Sequence, residues 1–135
     1  MANNAEARAR LAKLSRDLRA LPAELAHDLA PVGAAKLDTL LRENISAGVG
    51  PDGKAWPLRQ DGGKALPDAG DHLTVRAVGT VILARLEGPP ALHHLGIARG
   101  RVVRQIIPTK AAPQPVLDAI TAALPQRARE LLGLE

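Results

Sequence analysis

The sequence has no cysteine, no phenylalanine and no tyrosine, and Trp56 is its only aromatic residue. Without cysteine the chain can form no disulfide, no thiolate nucleophile and no Cys-ligated metal site. Without a set of aromatic side chains it has no stacking platform of the kind that binds unpaired nucleobases. The core must therefore be built from Leu, Val, Ile and Ala.

Other reactive side chains are also scarce, because serine occurs only at Ser15 and Ser46. A zinc site needs three or four converging ligands, and the only adjacent histidines point apart in an extended chain. Glycine-rich nucleotide-binding motifs and the nucleophile elbow are absent. We therefore expect a protein that is not an enzyme and that holds no metal or cofactor. The four histidines are His27, His72, His93 and His94.

No hydrophobic run is long enough to cross a membrane. The longest apolar stretch without a charge covers residues 77–84, against the ~20 residues that a spanning helix needs. The first residues alternate small side chains with charges, so they lack the apolar core of a signal peptide. We expect one soluble domain of 135 residues, made in a cytoplasm and without a membrane partner.

Leucines near the start of the chain recur at spacings of three and four residues. This spacing predicts one apolar seam along a helix, with charged residues on its flanks. The seam is narrower than the apolar face of an ordinary core helix. Two interpretations stay open: the seam packs on the domain's own sheet, or it contacts a helix of a neighbouring subunit. The seam leucines are Leu11, Leu14, Leu18, Leu21 and Leu25.

Two prolines interrupt this helical region. Pro22 and Pro31 each suit the first position of a new helix, where a missing N–H costs nothing, and each also suits a kink in one long helix. A second helical pattern runs from about residue 31 to 46, and Gly48 follows it as a typical helix end. The sequence does not decide between two helices and one.

A loop rich in glycine and proline follows, over residues 48–71. A loop this long in a small domain is either functional or ordered by a partner. Trp56 lies inside it, and we expect this lone aromatic side chain to anchor the loop on strands around Val75 and Leu83. Pro51 and Gly53 belong to a strong turn signal just before it.

Alternating apolar residues then predict strands over 73–78 and 81–86, joined by a tight turn. Residues 101–107 predict a third strand in an otherwise irregular stretch. Together these patterns predict a single α+β domain with N-terminal helices, a small antiparallel β-sheet with long loops, and a C-terminal helix. The three parts cover about residues 4–46, 48–110 and 114–132.

Positive charge is concentrated in one window. Lys and Arg number 18 against 14 Asp and Glu, a net charge of +4, and the stretch between Glu87 and Asp118 contains no carboxylate. Its bases either pair with carboxylates of a neighbouring subunit or face nucleic-acid phosphates. We expect the two that flank Gly100 to form a mobile tip, and the other two to be tied to their own fold or to an adjacent subunit. In chain order the bases are Arg99, Arg101, Arg104 and Lys110.

Four short motifs, in order, resemble those of the phage virion morphogenesis (tail completion) family. Residues 50–58, GPDGKAWPL, resemble the family signature sPdGkxWxpL, and residues 63–73, GKALPDAGDHL, resemble the linker that follows it. Residues 91–96, ALHHLG, are similar to the family's histidine motif, with His93 or His94 in the place of its histidine. Residues 107–113, IPTKAAP, are similar to its iPaRpfL motif, although they lack the arginine and the aromatic residue.

The resemblance implies a structural protein of a phage or phage-like particle, located in the virion and assembled in the host cytoplasm. Such a subunit is expected to form a ring, most simply a hexamer, at the tail end or the neck, where it terminates the tail tube and joins it to the head. The implied partners are further copies of the chain, tail-tube and neck or connector proteins, and passing double-stranded DNA bound without sequence specificity. Candidates for subunit-interface or DNA-channel contacts are Arg99, Arg101, Arg104, Lys110, His93 and His94. The alternative, based on charge, is a basic DNA-associated packing or regulatory protein.

Overall fold

The computed structural model of the chain describes residues 2–59, 62–63, 65–95, 103–108 and 111–134. The predicted α+β class is confirmed. In chain order the elements are helix α1 (Ala2–Ala47), a 3₁₀ turn (Ala69–His72), strands β1 (Leu73–Val78) and β2 (Val81–Leu86), helix α2 (Pro89–Leu95) and helix α3 (Gln114–Leu131).

Helix α1 is continuous through both Pro22 and Pro31, so the N-terminal part is one helix and not two. Both prolines lie on exposed positions. The 46 residues of α1 span about 69 Å at 1.5 Å per residue, whereas a compact domain of this size is only about 35–40 Å across. One end of α1 must therefore extend beyond the body of the protein.

Burial divides α1 into two halves. No residue from 4 to 28 is buried, whereas six residues from Leu29 onward are buried and lie along one face of the helix. We call residues 4–28 the arm. The rest of α1 belongs to the body, which is made of the sheet, the loops and the other two helices. The buried positions of α1 are Leu29, Ala30, Gly33, Ala34, Leu41 and Ile45.

Gly48 ends α1, as the sequence predicts. Its φ is +70°, its N–H donates to the Ile45 carbonyl at 3.1 Å, and the Val49 N–H donates to the Asn44 carbonyl at 3.0 Å. These two bonds form a Schellman motif, which satisfies the last carbonyls of the helix and favours glycine at its left-handed position. The chain turns back there into the glycine-rich loop.

The two predicted strands are confirmed at their predicted bounds. They pair antiparallel with Leu73 opposite Leu86 and Val78 opposite Val81, and Gly79 in the turn has a φ of +61°. A two-stranded sheet is marginal by itself, so it depends on α1, which packs against both strands. The third predicted strand is wrong for its described part, because residues 103–107 pair with no strand.

Gly33 lets three elements approach one another closely. A Cβ atom at this position would lie 2.6 Å from Ile82 Cδ1 on β2 and 2.9 Å from Ile120 Cδ1 on α3. Because glycine has no side chain, α1 can contact the sheet and α3 at one point. The sequence patterns do not reveal this close packing at Gly33.

Two helices complete the body. Helix α2 starts at Pro89 within a stretch predicted to be irregular; proline suits the first helical position, where its missing N–H costs nothing. Helix α3 packs against α1, and Pro125 lies inside it. Within the described ranges, no helix has both the length and the apolar character required to cross a bilayer.

The chain exposes more surface than a compact monomer of its mass. Its accessible surface is 9313 Å², whereas a compact monomer of 14.2 kDa exposes roughly 6,800 Å². The excess of about 2,500 Å² is several times what one partner contributes to an ordinary protein interface. The fold therefore leaves surface that neighbouring molecules can cover.

Candidate functional site

Trp56 connects the glycine-rich loop to the core. It is only 7% exposed and belongs to a buried cluster with residues of α1, of the loop and of β1. Its indole Nε1–H donates to the Gln105 carbonyl at 3.0 Å, and its backbone N–H donates to the Gly48 carbonyl at 2.8 Å. The other members of this core cluster are Leu41, Ile45, Ala65, Ala69, Leu73 and Ile106.

The surroundings of Trp56 differ in part from those expected. Val75 packs against the core cluster, but Leu83 is 43% exposed. In antiparallel pairing Leu83 lies opposite Arg76, on the face of the sheet that points away from α1. The expected contact of Trp56 with Leu83 is therefore wrong, because side chains alternate between the two faces of a strand.

The turn before Trp56 is held by short-range hydrogen bonds. The Gly50 N–H donates to the Lys54 carbonyl at 2.9 Å, and the Gly53 N–H donates to the Gly50 carbonyl at 3.0 Å. The Asp52 carboxylate accepts from the Lys54 N–H at 3.0 Å, which is how aspartate commonly closes a turn. Pro51 lies in this turn, and Gly53 takes a φ of +79°.

Arg104 fixes the end of the same loop from the other side. Its side chain is buried, and its Nε and Nη2 donate to the carbonyls of Pro57 at 2.9 Å and Leu58 at 3.2 Å. Its Nη1 lies 3.0 Å from His93 Nδ1. Because a guanidinium only donates, this ring nitrogen accepts and the His93 proton is on Nε2.

His94, the next residue on α2, holds the segment that follows Arg104. Its Nδ1 accepts from the backbone N–H groups of Ile106 at 3.1 Å and Ile107 at 3.4 Å. Burial lowers the pKa of His94 below its ordinary value, because an imidazolium loses hydration there. A neutral ring is also what these two bonds require, since a protonated Nδ1 has no lone pair to accept them.

These contacts join the segments whose motifs resemble the phage family. The loop of residues 50–58 meets the histidine motif through Arg104, and the histidine motif meets residues 106–107 through His94. The linker motif contributes Ala65, Ala69 and Leu73 to the cluster around Trp56. We call this set of contacts the motif junction.

Arg104 is the one base of the basic window that lies within the described residues, and it is buried. Arg104 is only 6% exposed and its guanidinium bonds to its own fold. Of the two alternatives expected for it, attachment to its own fold is therefore the one observed, and it is not a surface contact for DNA. Its guanidinium donates to the carbonyls of Pro57 and Leu58, and these bonds hold the exposed end of the loop. The remaining three bases, Arg99, Arg101 and Lys110, lie outside the described residues.

The leucine seam does not pack on the sheet of its own chain. Leu11, Leu14 and Leu18 are 66%, 45% and 50% exposed, while Leu21 and Leu25 are half-buried. The reason is length: the arm extends from the body, so no element of the same chain covers its outer part. Contact with a neighbouring subunit stays a prediction.

The sequence patterns missed one side chain that holds the loop in place. Arg42 on α1 donates from Nη1 to the Gly70 carbonyl at 2.9 Å and from Nη2 to the Leu73 carbonyl at 3.1 Å, and its Nε is 3.0 Å from Asp38. It fixes the end of the loop at the start of β1. The spacing of Asp38 and Arg42 indicates only a helical ion pair.

In the described ranges, no three His, Asp or Glu side chains lie close enough together to hold a metal ion. Compared with protein-family models, with characterised proteins and with solved structures, the chain matches none. The resemblance to the tail completion family therefore rests on the four motifs and on nothing broader. What the geometry offers is a motif junction that fixes a loop on a small domain, and an exposed arm.

Proposed function

We propose that the chain is a structural subunit of a phage or phage-like particle that assembles with further copies of itself into a ring at the tail end or neck. The ring terminates the tail tube and joins it to the head, and double-stranded DNA passes through without sequence-specific contacts. Tail-tube and neck or connector proteins are its other partners.

The observation that carries this proposal is the motif junction. Four short sequence motifs, spread over residues 50–113, would have no reason to meet if each were a chance similarity. In the fold, the first three motifs contribute residues to the hydrogen-bonded group around Trp56 and Arg104. The fourth contributes the partly buried Ile107, whose N–H donates to His94, and Arg104 itself lies between the third and fourth motifs. Motifs that share one structural role support a common origin more strongly than motifs scattered over a surface.

The unused surface of the chain supports assembly as its activity. A ring closes when each subunit offers two different and complementary patches. The chain exposes about 2,500 Å² beyond a compact monomer. Its exposed apolar residues include the outer leucines of the arm and Val78, Val81 and Leu83 on the outer face of the sheet, where Arg76 and Arg85 also lie.

Electron microscopy of the purified protein, prepared free of nucleic acid, tests the proposal. We expect closed rings of one subunit number in negative stain, with or without added duplex DNA. The matched control is a gel-shift titration over a range of salt, because a DNA-associated protein loses affinity steeply as salt rises. Monomers that form no ring and bind duplex DNA in a salt-dependent way would favour the packing or regulatory alternative.

A further inference from the structure

We propose that the arm pairs with the arm of a second copy of the chain as an antiparallel, two-fold coiled coil. The proposal concerns the exposed seam of residues 4–28 and does not depend on the ring function. Three observations determine the occupant and its register: the spacing of the leucines, the charges on the flanks of the seam, and the place where the body begins.

The leucine spacing assigns the core of the pair. Leu11, Leu18 and Leu25 occupy the first apolar position of successive heptads, and Leu14 and Leu21 occupy the second. In an antiparallel pair the two kinds of position face each other. One register places Leu11 opposite the partner's Leu21 and Leu14 opposite the partner's Leu18, so that positions whose numbers add to 32 lie at the same level. It covers the exposed Leu11, Leu14 and Leu18 and the half-buried Leu21 of each copy.

The flanking charges agree with that register. The residues that precede the first apolar positions are Arg10, Asp17 and Glu24, and in an antiparallel pair such residues face their counterparts in the other copy. In this register Arg10 lies beside Glu24 of the partner subunit, and the symmetry repeats this pair. The register in which numbers add to 39 also covers four leucines from each copy, but it would place Asp17 beside Glu24 of the partner subunit, so the charges favour the first. Asp17 meets its own copy at the two-fold axis, where Lys13 already lies 2.8 Å from its carboxylate.

A parallel pair has no such complementarity. There Arg10 would lie beside Ser15 of the partner subunit, and Asp17 beside the partner's Pro22. The bodies would also lie side by side at one end of the pair. In the antiparallel register, residue 4 of one arm reaches the level of the partner's Asp28, just before Leu29, where burial begins. The arms therefore overlap along their length while the two bodies lie at opposite ends.

The arm offers exposed apolar side chains to such a pair. Leu11, Leu14 and Leu18 are 66%, 45% and 50% exposed. Exposed leucine side chains on a single helix gain stability when a second helix covers them. The charged residues beside the leucines determine which helix pairs with the arm and in which direction.

Distance measurements between spin labels test the direction and register. Because the chain has no cysteine, Ala5→Cys and His27→Cys each accept one label. Each variant alone should give a distance of about 33 Å between copies, because its two labels lie 22 residues apart along the axis. An equal mixture of the two variants should add a much shorter distance, set by the helix spacing of about 10 Å and the labels. Short distances in each variant alone, or no coupling between copies, would overturn the proposal.

A charge exchange tests the predicted ion pair. Glu24→Arg should weaken the dimer about tenfold, because it replaces two attractive pairs with two repulsive ones. Adding Arg10→Glu in the same chain should restore the dimer to within about twofold of the original. Arg16→Glu, on the outward side of the same helix, is the matched control and should leave the affinity unchanged. Failure of the exchange to restore affinity would show that the register is wrong.

Pairing and ring formation can fail separately. A two-fold contact does not close a ring, so the ring of the proposed function needs another patch. Rings without coupled labels would overturn the arm pairing alone, and coupled labels without rings would overturn the proposed function alone.

Discussion

Trp56 combines two kinds of stabilisation in one side chain, since it fills the core cluster and bonds to the Gln105 carbonyl. Trp56→Ala should lower the free energy of unfolding by about 3–5 kcal/mol, because a large cavity replaces the ring. Trp56→Phe keeps most of the volume and should cost about 1 kcal/mol for the lost hydrogen bond. Urea denaturation measures both. Leu83→Ala, on the exposed face of the sheet, is the control, and an equal effect of Leu83→Ala and Trp56→Ala would contradict the core position of Trp56.

His94 makes the stability of the body depend on pH. Because its pKa is lowered in the folded chain, the unfolded chain takes up a proton first as the pH falls. Stability should be complete above about pH 6.5 and should decrease as the pH drops from there through the lower pKa of the folded state. His94→Asn places an acceptor near the position of Nδ1 and does not titrate, so it should reduce this loss.

The measurement for His94 is the urea midpoint at pH 7.5 and at pH 5.5, for the original chain and the variant. His27→Asn, an exposed histidine on the arm, is the control and should retain the full pH dependence. The same loss of stability in His94→Asn as in the original chain would show that other groups cause it.

At the scale of single residues, the sequence indicated which side chains matter but not what they contact. The burial of Trp56 follows from its being the only aromatic in an aliphatic core. The partners of Arg104 lie 46 and 47 positions earlier in the chain, and no local pattern reveals a contact at that separation. The sequence led us to expect Arg104 to be tied to its own fold or to an adjacent subunit, and the structure shows it buried in its own fold.

The prolines of α1 belong to the scale of elements. Proline costs about 3 kcal/mol relative to alanine inside a helix, although it also reduces the freedom of the unfolded chain by up to about 1 kcal/mol. Pro31→Ala, within the buried half of α1, should therefore raise the free energy of unfolding by about 2 kcal/mol. Pro22→Ala, in the arm, should raise helix content without stabilising the body. Urea denaturation and circular dichroism measure the two effects, and a destabilised Pro31→Ala would mean that the body packs on a bend that proline creates.

Elements with a clear local pattern were predictable, and those held by distant groups were not. The two strands have alternating residues and a glycine turn, and both were placed at their observed bounds. The third predicted strand is apolar enough, but its backbone N–H groups at Arg104 and Ile106 bond to His93 and His94 of α2. Helix α2, which precedes this segment, was not predicted because it is short and starts with two prolines.

At the scale of the whole molecule, the main feature is that the chain does not cover its own surface. A helix of 46 residues is longer than the body. The leucines Leu11, Leu14 and Leu18 in its extending part are therefore exposed to solvent. The sequence showed that the seam is narrow and left two interpretations open, because spacing along a helix does not say which molecule lies opposite. Only the length of the helix relative to the body shows that no element of the same chain covers the outer part of the seam.

Native mass spectrometry of the purified chain tests most directly whether it is a ring-forming subunit. Sprayed from a solution free of nucleic acid, the chain should give one closed assembly. A hexamer of the 14.2 kDa chain has a mass of about 85 kDa, and two hexamers joined through paired arms have a mass of about 170 kDa. The same mass should appear after nuclease treatment and at higher salt. A mass of one or two chains at every protein concentration, with larger species only when duplex DNA is added, would contradict the assignment.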